Sequence, residues 1–354
     1  MNPAKLLRGS LYLLCFTSFC LSGFSNNALL AQESEDQLWC TYLPGEIDGA
    51  AADNGKHIVL IAGDDEYRSE EAMPMLGKLL SQRIGFKCTV LFPIDEATGE
   101  IKPDHQTNIP GMQHLQDCDL VILGLRFRGL PDEQMKYLDD YLMAGKPVIA
   151  VRTSTHAFRF TKEMESAYQH YDFRSKEKWP LGFGKQVLGE TWFNHHGRHG
   201  KQSTRGVTNE EHADDVLMTG VSDVWGPTDV YGVRKLPEGS KVLLYGQVID
   251  GMEPDDEPLA GAKNDPMMPL AWTRTWTAST GNECSVFCTT MGSSTDFENA
   301  GLRRLLVNAS LAMTGLGDQI EDVAGVDPVG EFNPTNFGFK SYKKGTKPAD
   351  YNLK

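Results

Sequence analysis

The chain lacks an excess of positive charge. Its 354 residues carry 34 Lys and Arg against 48 Asp and Glu, a formal charge of −14. Nucleic acid is therefore excluded as the main partner, because neutralising phosphates needs a basic surface. Cysteine is scarce: seven residues, widely and unevenly spaced, which excludes a disulfide framework. Beyond residue 24 no apolar run is long enough to span a bilayer. No GxxxxGK[ST] occurs, and no GxGxxG follows a strand, which removes the familiar phosphate loops. No GxSxG elbow is present, which removes a serine hydrolase of that design. Internal repeats and low-complexity blocks are also missing.

What is present begins with a leader. Lys5 and Arg8 precede an apolar core, LYLLCFTSFCLSGF at 11–24, and small residues follow up to Ala31. This is the pattern of a signal peptide over 1–31, cleaved on export to the periplasm or outside the cell and leaving no stable membrane span after cleavage; the alternative reading is an uncleaved membrane anchor. Cys15 and Cys20 leave with it. Cys88, Cys118, Cys284 and Cys288 fall in or beside apolar runs and read as buried free thiols. A pair involving Cys40 stays open in an oxidising compartment.

Residues 32–55 are acidic and Gly-rich, an extended lead-in. A regular pattern follows. HIVLIAG (57–63), KCTVLF (87–92), DLVILGL (119–125) and PVIAV (147–151) are short apolar runs with the look of buried strands. Between them lie amphipathic stretches. One runs from a Ser69 cap to Ile84, with Met73, Leu76 and Leu80 on one face and Gly85 as the stop. Another is opened by Pro131 and closed by Gly145. Alternating strands and helices imply parallel strands covered on both faces, hence an α/β sandwich with a mostly parallel sheet. After residue 155 the pattern loosens. Further strands are expected at 241–249, 269–276 and 284–292, and an amphipathic helix at 301–313. The main domain is thus 56–316, and 317–354 is a tail laid along the surface.

In open parallel sheets, ligands bind outside the carboxyl ends of the strands. Those ends carry GDDEYRSEE (63–71), RFR (126–128), RTSTHAF (152–158) and MGSS (291–294), whereas the opposite ends carry plain turns such as GFK and AGKP. One rim should therefore gather Asp64, Asp65, Glu66, Tyr67, Arg68, Arg126, Arg128, Arg152, Thr153, Ser154, His156 and Ser293. Asp65 or Glu66 is a candidate general acid or base. The arginines suit oxygen-rich groups, although acids and arginines at strand ends also pair simply to fix loops.

NHHGRHG (194–200) holds three of the nine histidines. The spacing of His195 and His199 suits a metal on a helix, but Gly197 and Gly200 make the stretch a loop. Three readings stay open: a divalent metal held by His195, His196 or His199; acid–base or hydrogen-bonding imidazoles; or structural histidines. Trp192 beside them suits the apolar face of a sugar ring. Trp272 and Trp276 suit a sugar or a plain core.

The ordered segments HIVLIAGDDEYRSEEAMPML, LRFRGLPDEQM, PVIAVRTSTHAF, VLGETWFNHHGRHGKQSTRGV, NDPMMPLAWTRTW and FCTTMGSS…LRRLLVNAS resemble the ThuA-like (trehalose-utilisation) family. They are most similar to its secreted branch in planctomycete-type bacteria, and the resemblance spans roughly 39–350. It implies a flavodoxin-like, class I glutamine amidotransferase-like fold and an association with carbohydrate metabolism. Thr153-Ser154 stands where glutamine amidotransferases have a cysteine, so amidotransfer from glutamine is not expected. Gly292-Ser293 stands where many relatives have a Gly-His pair, which makes His195 or His196 the natural substitute. The sequence thus points to an exported enzyme with Asp65, Glu66, His156, His195 and His196 as its acid–base candidates. Asp64, Tyr67, Arg68, Arg126, Arg128, Arg152, Thr153, Ser154, Trp192 and Ser293 are its binding candidates, and a small carbohydrate is its ligand. The alternatives are a carbohydrate-binding module without catalysis and a metal-dependent hydrolase.

Overall fold

The computed structural model describes residues 37–353; the leader expected over 1–31 lies outside them. The first half contains β1 (Trp39–Tyr42), β2 (His57–Gly63), α1 (Ser69–Ile84), β3 (Lys87–Leu91), β4 (Leu120–Leu125), α2 (Asp132–Met143) and β5 (Val148–Val151). The second half contains β6 (Thr204–Thr208), β7 (Trp225–Gly226), β8 (Lys241–Val248), β9 (Met268–Thr277), β10 (Glu283–Thr289) and α3 (Ala300–Met313).

The ten strands of the described residues form one sheet in the order β1-β3-β2-β4-β5-β10-β9-β8-β6-β7. The run β3-β2-β4-β5-β10 is parallel throughout. Numbered among themselves, these five strands stand 2-1-3-4-5, the flavodoxin-type order. The other half corrects the expectation of a mostly parallel sheet. β1 is antiparallel to β3, and β9, β8, β6 and β7 extend the sheet antiparallel beyond β10. The physical reason is that parallel pairing needs a long crossover, usually a helix. No α-helix separates β8, β9 and β10, so these strands turn back on one another.

The apolar runs are buried because both faces of the sheet are covered. Along β2, Ile58 and Leu60 pack with α1 and α3, whereas Val59 and Ile61 pack with α2 on the other face. β4 divides the same way, Leu120 and Ile122 against Val121 and Leu123. Ala72, Met73, Leu76, Leu79 and Leu80 of α1 are fully buried. Each such Leu or Met side chain contributes on the order of 2 kcal/mol of transfer free energy. Trp272 and Trp276 are buried in the same core as α2. All five described cysteines are free and buried, Cys40 included. No helix among the described residues is long and apolar enough to cross a membrane.

The capping of α1 departs from expectation. Its N-cap is Arg68, in the left-handed region. Ser69 instead accepts hydrogen bonds from the N–H groups of Gly63 and Asp64, at 3.0 and 2.9 Å. The serine therefore ties the helix to the end of β2 and shapes the rim.

Candidate active site

The chain leaves β2 for α1 on one face and reaches β4 and α2 on the other, so the crevice between the ends of β2 and β4 is the switch point of the sheet. Arg126, just past β4, spans it, donating from Nη1 to Asp65 Oδ1 at 2.8 Å and lying 3.5 Å from Glu66 Oε2. The backbone here is strained. Arg68, Phe127 and Arg152, which follow β2, β4 and β5, have φ of 58°, 52° and 46°. Left-handed non-glycine residues cost on the order of 1–3 kcal/mol each and collect at functional sites.

Arg152 is fully buried behind this crevice. Its guanidinium lies 3.8 Å from the centre of the Tyr231 ring and 4.5 Å from that of Tyr67. Nη2 donates to Asp229 Oδ1 at 2.9 Å and to the Tyr67 hydroxyl at 3.1 Å. Nη1 donates to the carbonyls of Asp229 and Thr290. Asp229 comes from the loop 227–232 after β7, and was not among the residues expected at the rim. It is an acid among Trp, Pro, Gly and Tyr in an aperiodic stretch, and nothing local links it to the histidines.

That link is made in space. His196 and Gly197 both donate their N–H to the carbonyl of Val230, and Gly232 donates to that of Asn194. A Cβ at Gly197 would stand 3.1 Å from that of Asp229, so the glycine lets the two loops close on each other. His195 Nδ1 is then 2.8 Å from Asp229 Oδ2, and His199 Nδ1 is 3.2 Å from Oδ1. Each imidazole donates Nδ1–H to one oxygen of a single carboxylate, which leaves Nε2 available to a ligand. His199 Nε2 lies 3.4 Å from Glu66 Oε1, so the chain of groups runs Glu66–His199–Asp229–His195.

The electrostatics follow. Burial pushes the Glu66 carboxyl up, against the opposing pull of Arg126. The hydrogen bond to Asp229 pushes His199 up. Burial also works to raise Asp229, but Arg152 and the two imidazoles outweigh it and hold this carboxyl well below the usual range. Glu66 and His199 therefore keep their protons to higher pH than isolated groups, beside an acid that stays ionised. His156 is pushed far down, by burial first and then by Arg126 and Arg152. It is a neutral imidazole packed among Phe127, Phe173, Trp192 and Tyr231.

The remaining expected residues divide by role. Tyr67 reaches the cluster, and its hydroxyl lies 3.4 Å from His199 Nδ1. The Trp192 ring stands 5.5 Å from that of His195 and its buried indole N–H has no partner. Asp64 accepts from the N–H groups of Glu66 and Tyr67 and from the Thr153 hydroxyl, and so holds the loop. Ser154 bridges the backbone of Leu123 and Leu125. Ser293 caps the turn 294–298. Arg128 turns away to the carbonyls of Arg126 and His105, and Arg68 to those of Asp65 and Gly338. His196 also leaves the group, its Nε2 bonded at 2.7 Å to the carbonyl of Lys263.

His195, His199 and Asp229 present donor atoms within 4.8 Å of one another, a set able to hold a divalent metal. Both Asp229 oxygens already accept from an imidazole, and Oδ1 also from Arg152. A cation bound through Asp229 would displace those protons and face a buried guanidinium. The two imidazole Nε2 atoms, with Glu66 nearby, are the donors this arrangement leaves free. Volume does not pick out the place: hollows of about 680 Å³ beside Tyr351 and about 480 Å³ beside Met164 both lie away from the cluster.

No family model and no curated protein matches the sequence. Among solved structures, a ThuA-like protein from Parabacteroides merdae is similar at a TM-score of 0.47 and 14% identity, over 84% of this chain and 99% of that one. The exo-β-1,4-mannosidase Op5Man5 from Opitutaceae bacterium strain TAV5 is similar at 0.26 and 9% identity, over 78% of this chain and 36% of that one. Likeness at these levels says nothing about chemistry.

Proposed function

We propose that this is a ThuA-like protein, exported to the periplasm or beyond, that works as an acid–base enzyme on a carbohydrate or sugar derivative. The observation that carries the reading is the Glu66–His199–Asp229–His195 chain at the switch point of the sheet. Asp229 orients both imidazoles, Glu66 and His199 hold and move a proton, and Arg126 and Tyr67 offer donors to oxygen-rich groups. Trp192 supplies an aromatic face. The ordered motifs between 57 and 310 and the 2-1-3-4-5 strand order support the family reading. Glutamine amidotransfer has no support, since Thr153 stands beyond β5 with its hydroxyl bound to Asp64.

The test is product formation, followed by NMR, from a panel of disaccharides, sugar acids and keto-sugars. His195→Ala and His199→Ala are expected to abolish turnover with little change in Tm, and His196→Ala to leave most of it. Saturable sugar binding without any product would instead establish a binding module. The 4.8 Å donor group favours a second reading, a metal-dependent hydrolase. Elemental analysis of untagged protein tests it, and absence of stoichiometric metal removes it.

A further inference from the structure

Residues 333–342 form no helix or strand, yet they are pinned to the rim at several points. The Thr335 N–H and hydroxyl donate to the two oxygens of Glu71 at 2.8 and 2.7 Å, and Ser294 donates to the Thr335 carbonyl. Gly338 then uses both its backbone groups. Its N–H donates to the carbonyl of Glu66 at 2.7 Å, and its carbonyl accepts from Arg68 Nη2 at 2.8 Å. With φ of 156° it occupies backbone space that suits glycine. The grip is thus on the main chain of the residue whose carboxylate faces His199.

The flanking rings are placed by that grip. Phe337 lies 5.3 Å, centre to centre, from both the Tyr67 and the His199 rings. Phe339 lies over the guanidinium of Arg126 at 4.8 Å and remains 56% exposed. Phe127 covers the same guanidinium at 4.4 Å. A loose surface tail has no reason to place aromatic rings on a histidine and an arginine of the rim while spending both polar groups of the intervening glycine there.

We infer that the segment Phe337–Gly338–Phe339 is the outer wall of the site, with Phe337 as a positioning residue that covers His199 against Tyr67. It covers one side of the imidazole, whose side chain stays 36% exposed, and fixes its ring against Asp229 and Glu66. This rests on the reading of Glu66 and His199 as the reacting groups, but its test does not need turnover.

The test is diethyl pyrocarbonate modification of the full mature chain, at a pH where the imidazoles are neutral, with each histidine followed by mass spectrometry. In Phe337→Ala the rate at His199 should rise about threefold or more, the change that corresponds to roughly half a logarithmic unit. His196, bonded to Lys263, should keep its rate and serves as the internal reference. Phe337→Tyr should restore the slow rate. Phe339→Ala should leave His199 unchanged, because its ring lies on Arg126. Equal His199 rates in the wild type and Phe337→Ala would overturn the inference. So would an equal rise in Phe339→Ala, which would mean general loosening. Far-UV circular dichroism of each variant confirms that it is folded. If the rates behave as stated and no sugar is turned over, the wall stands and the catalytic reading falls.

Discussion

Asp229 is one buried carboxylate that serves three cations or potential cations. The guanidinium of Arg152 behind it is 1% exposed, so the pair is sealed from water. Removing one member leaves an uncompensated buried charge, which costs about 3–5 kcal/mol. Asp229→Asn should lower stability to denaturant by that order. It should also move the NMR titration of His199 to lower pH, because the bond that raises it weakens. An unmoved titration would mean that Asp229 does not set the proton affinity of His199. Glu70, beneath the same rim, gives a second residue-scale prediction. Its buried carboxyl is pushed up from 4.5 to about 8 by burial, against the pull of Arg68. The folded state then binds more protons than the unfolded state across that window, so this group lowers stability as pH rises from 4.5 to about 8. Glu70→Gln should flatten that part of the stability–pH curve and leave acid stability nearly unchanged, as read from urea midpoints.

At the scale of elements, the first turn of α1 and the end of β2 act as one unit. The Ser69 hydroxyl accepts from two buried N–H groups, those of Gly63 and Asp64. Ser69→Ala removes the hydroxyl that accepts from both, at a cost of about 1–3 kcal/mol for any buried N–H so stranded. The expected result is a clear loss of Tm together with faster hydrogen exchange at those two amides. Loss of Tm without the local exchange would place the defect elsewhere in the helix. The left-handed residues after β2, β4 and β5 belong to the same scale, because each turns the chain sharply at the mouth of the crevice.

At the scale of the whole molecule, the C-terminal stretch binds the first strand to the rest. Cys40 Sγ donates to the carbonyl of Pro348, and the Tyr42 hydroxyl to that of Tyr351. The Tyr351 ring stacks on Phe92 at 5.8 Å. Burial pushes the Cys40 thiol up to about 12, so it should resist alkylation in the intact chain. A chain ending at Lys343 should lose Tm and label much faster at Cys40, with Cys88 and Cys288 still protected. The NMR titration of His199 should stay where it is in the full chain. Unchanged labelling at Cys40 would show that the edge strand holds without the tail.

The parallel half of the sheet and the rim were legible in the sequence, because each buried strand there is a continuous apolar run ending in polar residues. Local patterns carry that information: a two-sided core needs apolar residues at every strand position, and a helix between strands forces parallel pairing. β6, β7 and the edge strand β1 were not legible. They are short and partly exposed, and pairing with neighbours rather than periodicity defines them. The site divides along the same line. Glu66, Tyr67, Arg126, Arg152 and the histidine loop were visible as chemistry at strand ends. Asp229 and Phe337 were not, and the choice of His199 over His196 was not either. Those depend on loops 227–232 and 194–200 meeting through backbone hydrogen bonds, and on segment 333–342, bonded to the Glu66 carbonyl, laying Phe337 on His199. The sequence by itself thus determined which strands would be buried and where the polar groups would gather. Only the tertiary structure decided which imidazole met which carboxylate, because contacts between residues far apart in the chain leave no local periodicity to read.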